Sequence, residues 1–297
     1  MPKFPVADIF VLVPKLAAKA RMVWRSAQAA ILVRVPVRLH AQPDFIVIGA
    51  QKAGTSSLYA WLTSHPDVLP ARRKELHFFN RRWDTESVWS YWLDFPSRLR
   101  MGLLRVARRR AVVTGEASTL YLPDPEVPQR LAALLPDIKL VAVLREPVDR
   151  AISNYWMENR RGNEVLSLEE ALRDEFHRER RRSAGDSCPE PAKAGGYVAR
   201  GRYAEQLERW FQHFPRSQFL IVEFDDQAND SLGVYRRVLD FVGVDPDAAQ
   251  APEFQALNTG SRRDTDPDTI AIETSMANAF DPQATGLTMA GWTSFPR

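Results

Sequence analysis

The chain has 297 residues, with 40 lysine and arginine residues against 37 aspartate and glutamate residues, so its formal net charge is +3. Residues 1–42 contain seven basic residues and one acidic residue, a charge of +6, so the rest of the chain must carry −3. A chain that is mostly mildly acidic excludes a globally basic nucleic-acid-binding protein. Its single cysteine, Cys188, excludes an intrachain disulfide and a cysteine-rich zinc site.

Residues 1–42 are predicted to form an extension ahead of a domain that covers 43–297. Apolar side chains recur there at helical spacing on one face: Leu16, Ala20, Val23, Trp24, Ala27 and Ile31. Such a basic amphipathic helix can lie on an anionic membrane surface, or it can pack on the following domain. No apolar run reaches the roughly 18 residues of a membrane span, and the basic residues follow the first apolar run, unlike a secretory signal. A cytoplasmic protein is therefore predicted, and peripheral membrane contact through residues 1–40 stays one of the two alternatives for the extension.

Strand and helix patterns alternate along the rest of the chain. The predicted strands are short apolar runs: 44–49, one within 67–80, 111–115, 139–144 and 218–223. Helical patterns separate them: 55–62, 86–95, 125–135, 147–158, 167–178, 203–213 and 230–242. This alternation predicts a three-layer α/β/α fold around a mainly parallel sheet. Residues 179–200 are polar and rich in glycine and proline, which predicts a loop, either a lid over a ligand site or an ordinary surface loop.

The segment Gly49–Ser57 lies between a predicted strand and a predicted helix and is typical of a phosphate-binding loop. Glycine permits a tight turn, and the start of a helix presents unpaired N–H groups. Three hydroxyls add further donors: Thr55, Ser56 and Ser57. Lys52 adds a positive charge but precedes Gly54 by two residues, so the segment lacks the Gly-Lys-Ser/Thr order of a Walker A loop. A glycine turn with an ordinary helix cap is the alternative.

A second motif runs from Leu144 to Ser153 as LREPVDRAIS. Arg145 stands at the carboxyl end of a predicted buried strand, which is where α/β proteins bind ligands. An arginine and a hydroxyl, Ser153, could hold a phosphate group from two sides. Alternatively, Arg145 simply pairs with an acidic residue.

The third motif, Arg72–Phe79, places Glu75 and His77 on one side of a segment predicted to be extended. A carboxylate beside a bound phospho-anion could accept a proton from an attacking hydroxyl. A surface glutamate beside a half-buried histidine is the alternative interpretation.

In this order, the three motifs resemble those of the sulfotransferases that use 3′-phosphoadenosine-5′-phosphosulfate (PAPS). Lys-x-Gly-Thr-Ser follows a strand, Lys-Glu-x-His-Phe-Phe comes about twenty residues later, and Leu-Arg-Glu-Pro-x-x-Arg-Ala-x-Ser follows a later strand. The pattern is most similar to the heparan-sulfate-type and bacterial glycan sulfotransferases and extends over about residues 43–263. The resemblance implies their P-loop-like fold.

The resemblance also implies roles for individual residues. The loop would hold the 5′-phosphosulfate with Lys52, Ala53, Gly54, Thr55, Ser56 and Ser57. Arg145 and Ser153 would hold the 3′-phosphate, and Ser261 and Arg262 would belong to a late loop that closes over the nucleotide. Residues 115–122 resemble the acceptor side of the site, where the animal heparan-type enzymes usually carry a lysine instead of Ala117.

In the predicted mechanism, Lys52 stabilises the charge that builds on the phosphate oxygens, and Glu75 takes the proton of the acceptor. His77 is the alternative base, as in the family branch that uses histidine. No metal is expected, because the five histidines are scattered along the chain. The expected partners are PAPS and an acceptor with a hydroxyl or amine: a carbohydrate, a glycolipid or a small natural product. A P-loop-type kinase or hydrolase and a non-catalytic nucleotide-binding protein are the competing functions.

Overall fold

The computed structural model describes residues 39–183 and 196–257, and a five-stranded sheet forms its centre. The strands are β1 (Phe45–Gly49), β2 (Val68–Pro70), β3 (Val113–Ala117), β4 (Lys139–Leu144) and β5 (Phe219–Glu223). Their order is β2-β3-β1-β4-β5, and every neighbouring pair is parallel. The predicted sheet is therefore confirmed, and it is parallel throughout.

Helices fill most of the connections between these strands. Their bounds are α1 (Thr55–Ser64), α2 (Val88–Trp92), α3 (Arg98–Arg108), α4 (Val127–Leu134), α5 (Pro147–Arg160), α6 (Leu168–Ser183), α7 (Tyr203–Phe211), α8 (Phe224–Asn229) and α9 (Ser231–Val242). The sequence patterns anticipate seven of these helices and miss α3 and α8. Helix α6 continues to Ser183, so the loop predicted over residues 179–200 was placed too early at its start, and residues 184–195 lie outside the described residues.

The central strands are covered on both faces, as expected for a parallel sheet between two layers of helices. All five residues of β1 are buried, and in β4 only Lys139 is partly exposed. Such strands need apolar side chains in both directions, which explains the continuous runs FIVIG and KLVAVL. The predicted three-layer α/β/α architecture is confirmed.

Helix α3 is fastened at the amino ends of β2 and β3. Arg108 Nη1 lies 2.8 Å from Oδ1 of the buried Asp67, just before β2. Arg105 Nη2 donates to the carbonyl oxygen of Val112, just before β3, over 2.7 Å. Met101 is buried beside Val112. The inward face of α3 is therefore fixed by ion pairs, hydrogen bonds and a small apolar contact.

Several predictions fall on parts of the chain outside the described residues: the extension up to residue 38, Cys188, Ser261 and Arg262. Close to the predicted boundary at 42, the amide of Ala41 donates to the carbonyl oxygen of Pro96 over 2.8 Å. In the described part of the chain, no helix combines the length and apolarity needed to cross a bilayer.

Candidate active site

A cleft of about 1070 Å³ opens at the carboxyl ends of the strands. Strands β1 and β4 are neighbours, so the loop after β1 and the motif after β4 meet there. Nine of the sequence-predicted residues line this cleft: Lys52, Gly54, Thr55, Ser56, Ser57, Glu75, His77, Arg145 and Ser153. The three motifs, far apart in the chain, thus share one cavity.

The loop after β1 leads directly into α1. Gly54 has a φ of 79°, and a Cβ there would meet Gln227 Nε2 at 2.9 Å, so only glycine fits without a shift. In the described chain no side chain caps the start of α1, which leaves its first amides available to a ligand. Ala53 differs from its neighbours: it is fully buried, it is not part of the lining, and its amide donates to the carbonyl oxygen of Ala50 over 3.3 Å.

Positive charge is concentrated on one side of the cleft. Lys52 and Arg145 are joined there by Arg160 and Arg161 at the end of α5. Burial, and then the charges of these arginines, lower the pKa of Lys52 below the ordinary lysine value. A cluster of cations that depresses the pKa of its own lysine is suited to a ligand with several negative charges.

The neighbours of Arg145 hold its side chain in place without using all of its hydrogen-bond donors. Its Nη2 lies 3.4 Å from Oδ2 of Asp149, and its guanidinium stands 4.8 Å from the ring centroid of Phe224. Its Nε is buried and has no hydrogen-bond partner among the described residues. The acidic partner considered from the sequence exists, yet a donor remains for a bound anion.

The end of the described chain forms one wall of the cleft. The amide of Leu257 donates to Ser57 Oγ over 2.8 Å, and the ring of Phe254 meets Trp61 edge-on with centroids 5.1 Å apart. This bond uses one lone pair of the Ser57 hydroxyl and leaves its proton free to be donated.

Glu75 is held at four points. Its Oε2 accepts from the amide of Thr119 at 3.0 Å and lies 3.2 Å from Nε2 of His77. Its Oε1 accepts from the Thr119 hydroxyl at 3.0 Å and pairs with Lys74 Nζ at 2.7 Å. Because an ionised carboxylate only accepts, a hydrogen bond at the contact with His77 would need a proton on Nε2 of the imidazole. Burial lowers the pKa of His77, although the nearby Glu75 opposes that shift.

The backbone around Glu75 is not extended, so that prediction was wrong. Glu75 has a φ of 60° and His77 a φ of 53°, both in the left-handed region. Their side chains still meet, but through two left-handed residues instead of strand alternation. Lys52, with a φ of 70°, adopts the same region. Among the four described non-glycine residues with positive φ, three are thus the predicted catalytic residues, as expected for strain stored at a functional site.

A buried carboxyl lies beneath this turn. Glu116 in β3 accepts from the hydroxyl of Ser118 at 2.7 Å and from that of Tyr91 at 2.8 Å. Ser118 Oγ in turn accepts from the amide of His77 at 3.1 Å, and Tyr121 OH accepts from that of Phe78 at 2.9 Å. The hydroxyls therefore connect the left-handed turn to Glu116, a support that no sequence pattern predicts.

Glu116 is expected to make stability depend on pH. Burial raises its pKa to about 7 from 4.5, against the effect of its hydroxyl donors. Between these values the folded chain keeps a proton that the unfolded chain releases, so stability falls as pH rises from about 4.5 to about 7, by up to about 3 kcal/mol. Glu116→Gln should remove this part of the slope. Urea unfolding of both proteins at about pH 5 and about pH 8 measures it. Parallel pH dependence in the two proteins would contradict the prediction.

Two parts of the cleft were missed from the sequence. Arg160 and Arg161 follow Ser153 by seven and eight residues, which is helical spacing on one face, so a helical projection could have found them. Gln227 in α8 had no comparable pattern. Among the described residues, no group of three or more histidine, cysteine, aspartate or glutamate side chains is arranged to hold a metal ion.

Comparison with known proteins identifies related chains. A family model for the sulfotransferase domain matches residues 42–257. Mouse heparan sulfate glucosamine 3-O-sulfotransferase 3B1 is 35% identical over 204 residues, which are 68% of this chain and 46% of that protein. Human bifunctional heparan sulfate N-deacetylase/N-sulfotransferase 3 is 33% identical over 214 residues, 69% of this chain and 22% of that protein. The chain thus spans less than half the length of these relatives.

Among solved structures, a sulfotransferase from Alicyclobacillus acidocaldarius is similar over most of its length. The TM-score is 0.59 at 31% sequence identity, and the match covers 85% of this chain and 99% of that one.

Proposed function

The chain belongs to the sulfotransferase domain family, and on that premise we propose that it transfers a sulfuryl group from PAPS to a hydroxyl or amine of a carbohydrate. One observation carries the proposal: a single cleft joins the cationic loop around Lys52, the donor Arg145 and the firmly held carboxylate of Glu75. The first two suit a polyanionic nucleotide, and the third suits removal of a proton.

The residues of the cleft fit the donor nucleotide in charge and in size. The uncapped start of α1 and Lys52 would hold the 5′-phosphosulfate, while Arg145 and Ser153 would hold the 3′-phosphate. The cavity of about 1070 Å³ has room for a nucleotide and part of an acceptor. Ser261 and Arg262 stay predicted contacts to the nucleotide, and the domain is proposed to begin near residue 43.

In the proposed reaction, the acceptor oxygen or nitrogen forms a bond to sulfur, and the bond between sulfur and the 5′-phosphate oxygen breaks. The bonding electron pair goes to the phosphate oxygen, where Lys52 stabilises the new charge. The proton of the acceptor goes to Glu75. No residue of the chain changes its oxidation state, and no covalent enzyme intermediate is needed.

Glu75, not His77, is the better candidate for the base. The Nε2 of His77 lies 3.2 Å from Oε2 of Glu75, so a proton on this atom would be directed at the carboxylate and would leave no lone pair there for an acceptor. We assign His77 to orienting the carboxylate. Comparison of the Glu75→Gln and His77→Gln variants tests this assignment.

The acceptor class is supported by the relatives, whose names specify both O- and N-sulfation of heparan sulfate. Ala117, where animal heparan-type enzymes usually carry a lysine, is fully buried in β3. Ala117 supplies no charge to an acceptor, which favours acceptor contacts that differ from those of the animal enzymes. A carbohydrate other than heparan sulfate is therefore included in the proposal.

The function is tested by incubating the protein with PAPS that carries radiolabelled sulfur and a panel of glycans with free hydroxyls or free amines. We expect label on a glycan without added metal. A thermal-shift panel supplies the comparison with the alternatives: 3′-phosphoadenosine 5′-phosphate should stabilise the fold, and ATP with Mg²⁺ should not. Stabilisation by ATP with Mg²⁺ alone would indicate a kinase or hydrolase. Stabilisation by the bisphosphate without transfer to any glycan would indicate a binding protein.

Arg145→Met should remove the preference for a 3′-phosphate. The side chain keeps its apolar contact with Phe224 but loses the guanidinium, which is worth about 10–100-fold in the affinity ratio of 3′-phosphoadenosine 5′-phosphate to adenosine 5′-phosphate. Titration calorimetry with both nucleotides measures the ratio, and Arg236→Met, which removes an arginine from α9, is the matched control. An unchanged ratio would show that Arg145 does not contact the 3′-phosphate.

A further inference from the structure

Helix α3 exposes an apolar stripe that its own domain does not use. Leu99, Leu103 and Val106 are 73%, 62% and 79% exposed, and their spacing of four and three residues puts them on one face. The opposite face contains Met101, which is buried, and the arginines that fasten α3 to β2 and β3. The stripe therefore faces outward on a helix that is held in place from behind.

The surroundings of this stripe are cationic. Residues 95–115 contain six arginines and no aspartate or glutamate. Asp44 and Asp67 pair with three of these arginines, and the other three lie beside the stripe. From the helical positions, Arg100 lies on one flank of the stripe and Arg98 on the other, and Arg109 follows directly after α3. All three are exposed. An apolar stripe between cationic flanks matches the chemistry of an anionic lipid surface, where the apolar side chains enter the headgroup region and arginines meet phosphate or carboxylate groups.

We propose that α3 docks the protein on an anionic membrane surface through Leu99, Leu103 and Val106. The charge of the chain argues against two other partners that could cover the stripe, which are the extension of residues 1–42 and a second copy of α3. Residues 1–42 carry +6, and His40 pairs with Ser97 at the start of α3, so the extension and α3 would repel each other across the stripe. A second copy of α3 would bring its own four arginines, Arg98, Arg100, Arg105 and Arg108, against those of the first. Both basic segments instead favour one shared anionic surface.

The test uses the full chain and sedimentation with vesicles of phosphatidylcholine alone or with added phosphatidylserine. The triple variant Leu99→Ser, Leu103→Ser, Val106→Ser should bind the anionic vesicles at least about tenfold more weakly than the parent. The double variant Arg100→Gln, Arg109→Gln should lose a similar share of its binding to the anionic vesicles. Added salt should weaken the binding of the parent protein in the same way. Because these residues are far from the cleft, sulfuryl transfer to a soluble glycan should not change.

Matched controls come from exposed residues elsewhere. Val165 and Leu232 are 87% and 45% exposed, so Val165→Ser, Leu232→Ser removes apolar surface without touching α3. Arg173→Gln, Arg236→Gln removes two exposed charges. Both control proteins should bind vesicles as the parent does. Equal binding by the α3 triple variant, or equal binding to vesicles with and without phosphatidylserine, would overturn the proposal.

A local probe distinguishes docking from self-association. An environment-sensitive dye on Leu103→Cys, in a Cys188→Ser background, should shift to the blue when anionic vesicles are added. The same dye on Val165→Cys should not shift. A blue shift at position 103 that grows with protein concentration in the absence of vesicles would show that another copy covers the stripe. A blue-shifted emission without vesicles at every protein concentration would show that the extension covers it.

Discussion

Glu75→Gln is expected to lower kcat by about 10²–10⁴-fold, the usual contribution of a general base. Glutamine keeps the size of the side chain and can still accept from Thr119, so the turn should persist. It cannot take a proton from the acceptor. The affinity for 3′-phosphoadenosine 5′-phosphate should stay within about twofold, because donor binding depends on Lys52 and Arg145. Single-turnover transfer and nucleotide titration separate the two quantities.

His77→Gln is the matched comparison for this experiment. The variant retains a donor that can reach Glu75 but cannot act as a base at ordinary pH, so we expect a loss of only about tenfold from imperfect orientation of the carboxylate. The loss of kcat should therefore be at least about tenfold larger in Glu75→Gln than in His77→Gln. The reverse order of the two losses would assign the base to His77.

Lys52→Met is expected to lower kcat by about 10²–10³-fold, the cost of removing one preorganised donor from developing charge. The pKa of Lys52 is lowered by burial and by the arginines around it, so its ammonium group is lost at a lower pH than that of an ordinary lysine. Transfer should therefore be complete below this pKa and decline as pH rises through it. The pH–rate profile of the parent protein measures this alkaline limb.

Two variants decide whether the alkaline limb belongs to Lys52. Lys52→Arg keeps the charge at all accessible pH values, so the alkaline decline in rate should move to higher pH even if the rate at neutral pH is reduced. Lys139→Met removes a lysine at the amino end of β4, away from the cleft, and should leave both the rate and the limb in place. An alkaline limb that persists in Lys52→Arg would have to come from another group.

The strands could be predicted well because a parallel sheet buries them on both faces. The bounds of β4 coincide with its apolar run from Lys139 to Leu144. Strand β3 was predicted two residues too early, since Gly115 looks like the end of a strand. Its lack of a side chain instead allows close approach to β1, because a Cβ there would meet the carbonyl oxygen of Phe45 at 2.5 Å. The strand continues through Glu116, a buried carboxyl that no apolar pattern could predict.

Helix α3 escaped prediction for a related reason. Its apolar residues lie on two faces, with Met101 directed inward and Leu103 outward, so no single stripe marks the core side. For the candidate site, the sequence predicted which residues come together but not their backbone conformation. Residue types and order brought Lys52, Glu75 and Arg145 to one cleft, whereas the left-handed backbone at Glu75 and His77 depends on hydrogen bonds from residues more than forty positions away in the chain.

The parallel direction of all five strands places the cleft and α3 at opposite ends of the sheet. An enzyme held on a bilayer by α3 would turn its cleft toward the aqueous phase. The enzyme would diffuse within the plane of the membrane, while acceptors would reach its cleft from the solution. A long or freely diffusing glycan would therefore be sulfated more readily than a lipid headgroup of the same bilayer. Membrane attachment would then control where modified glycan is produced without selecting lipid as the acceptor.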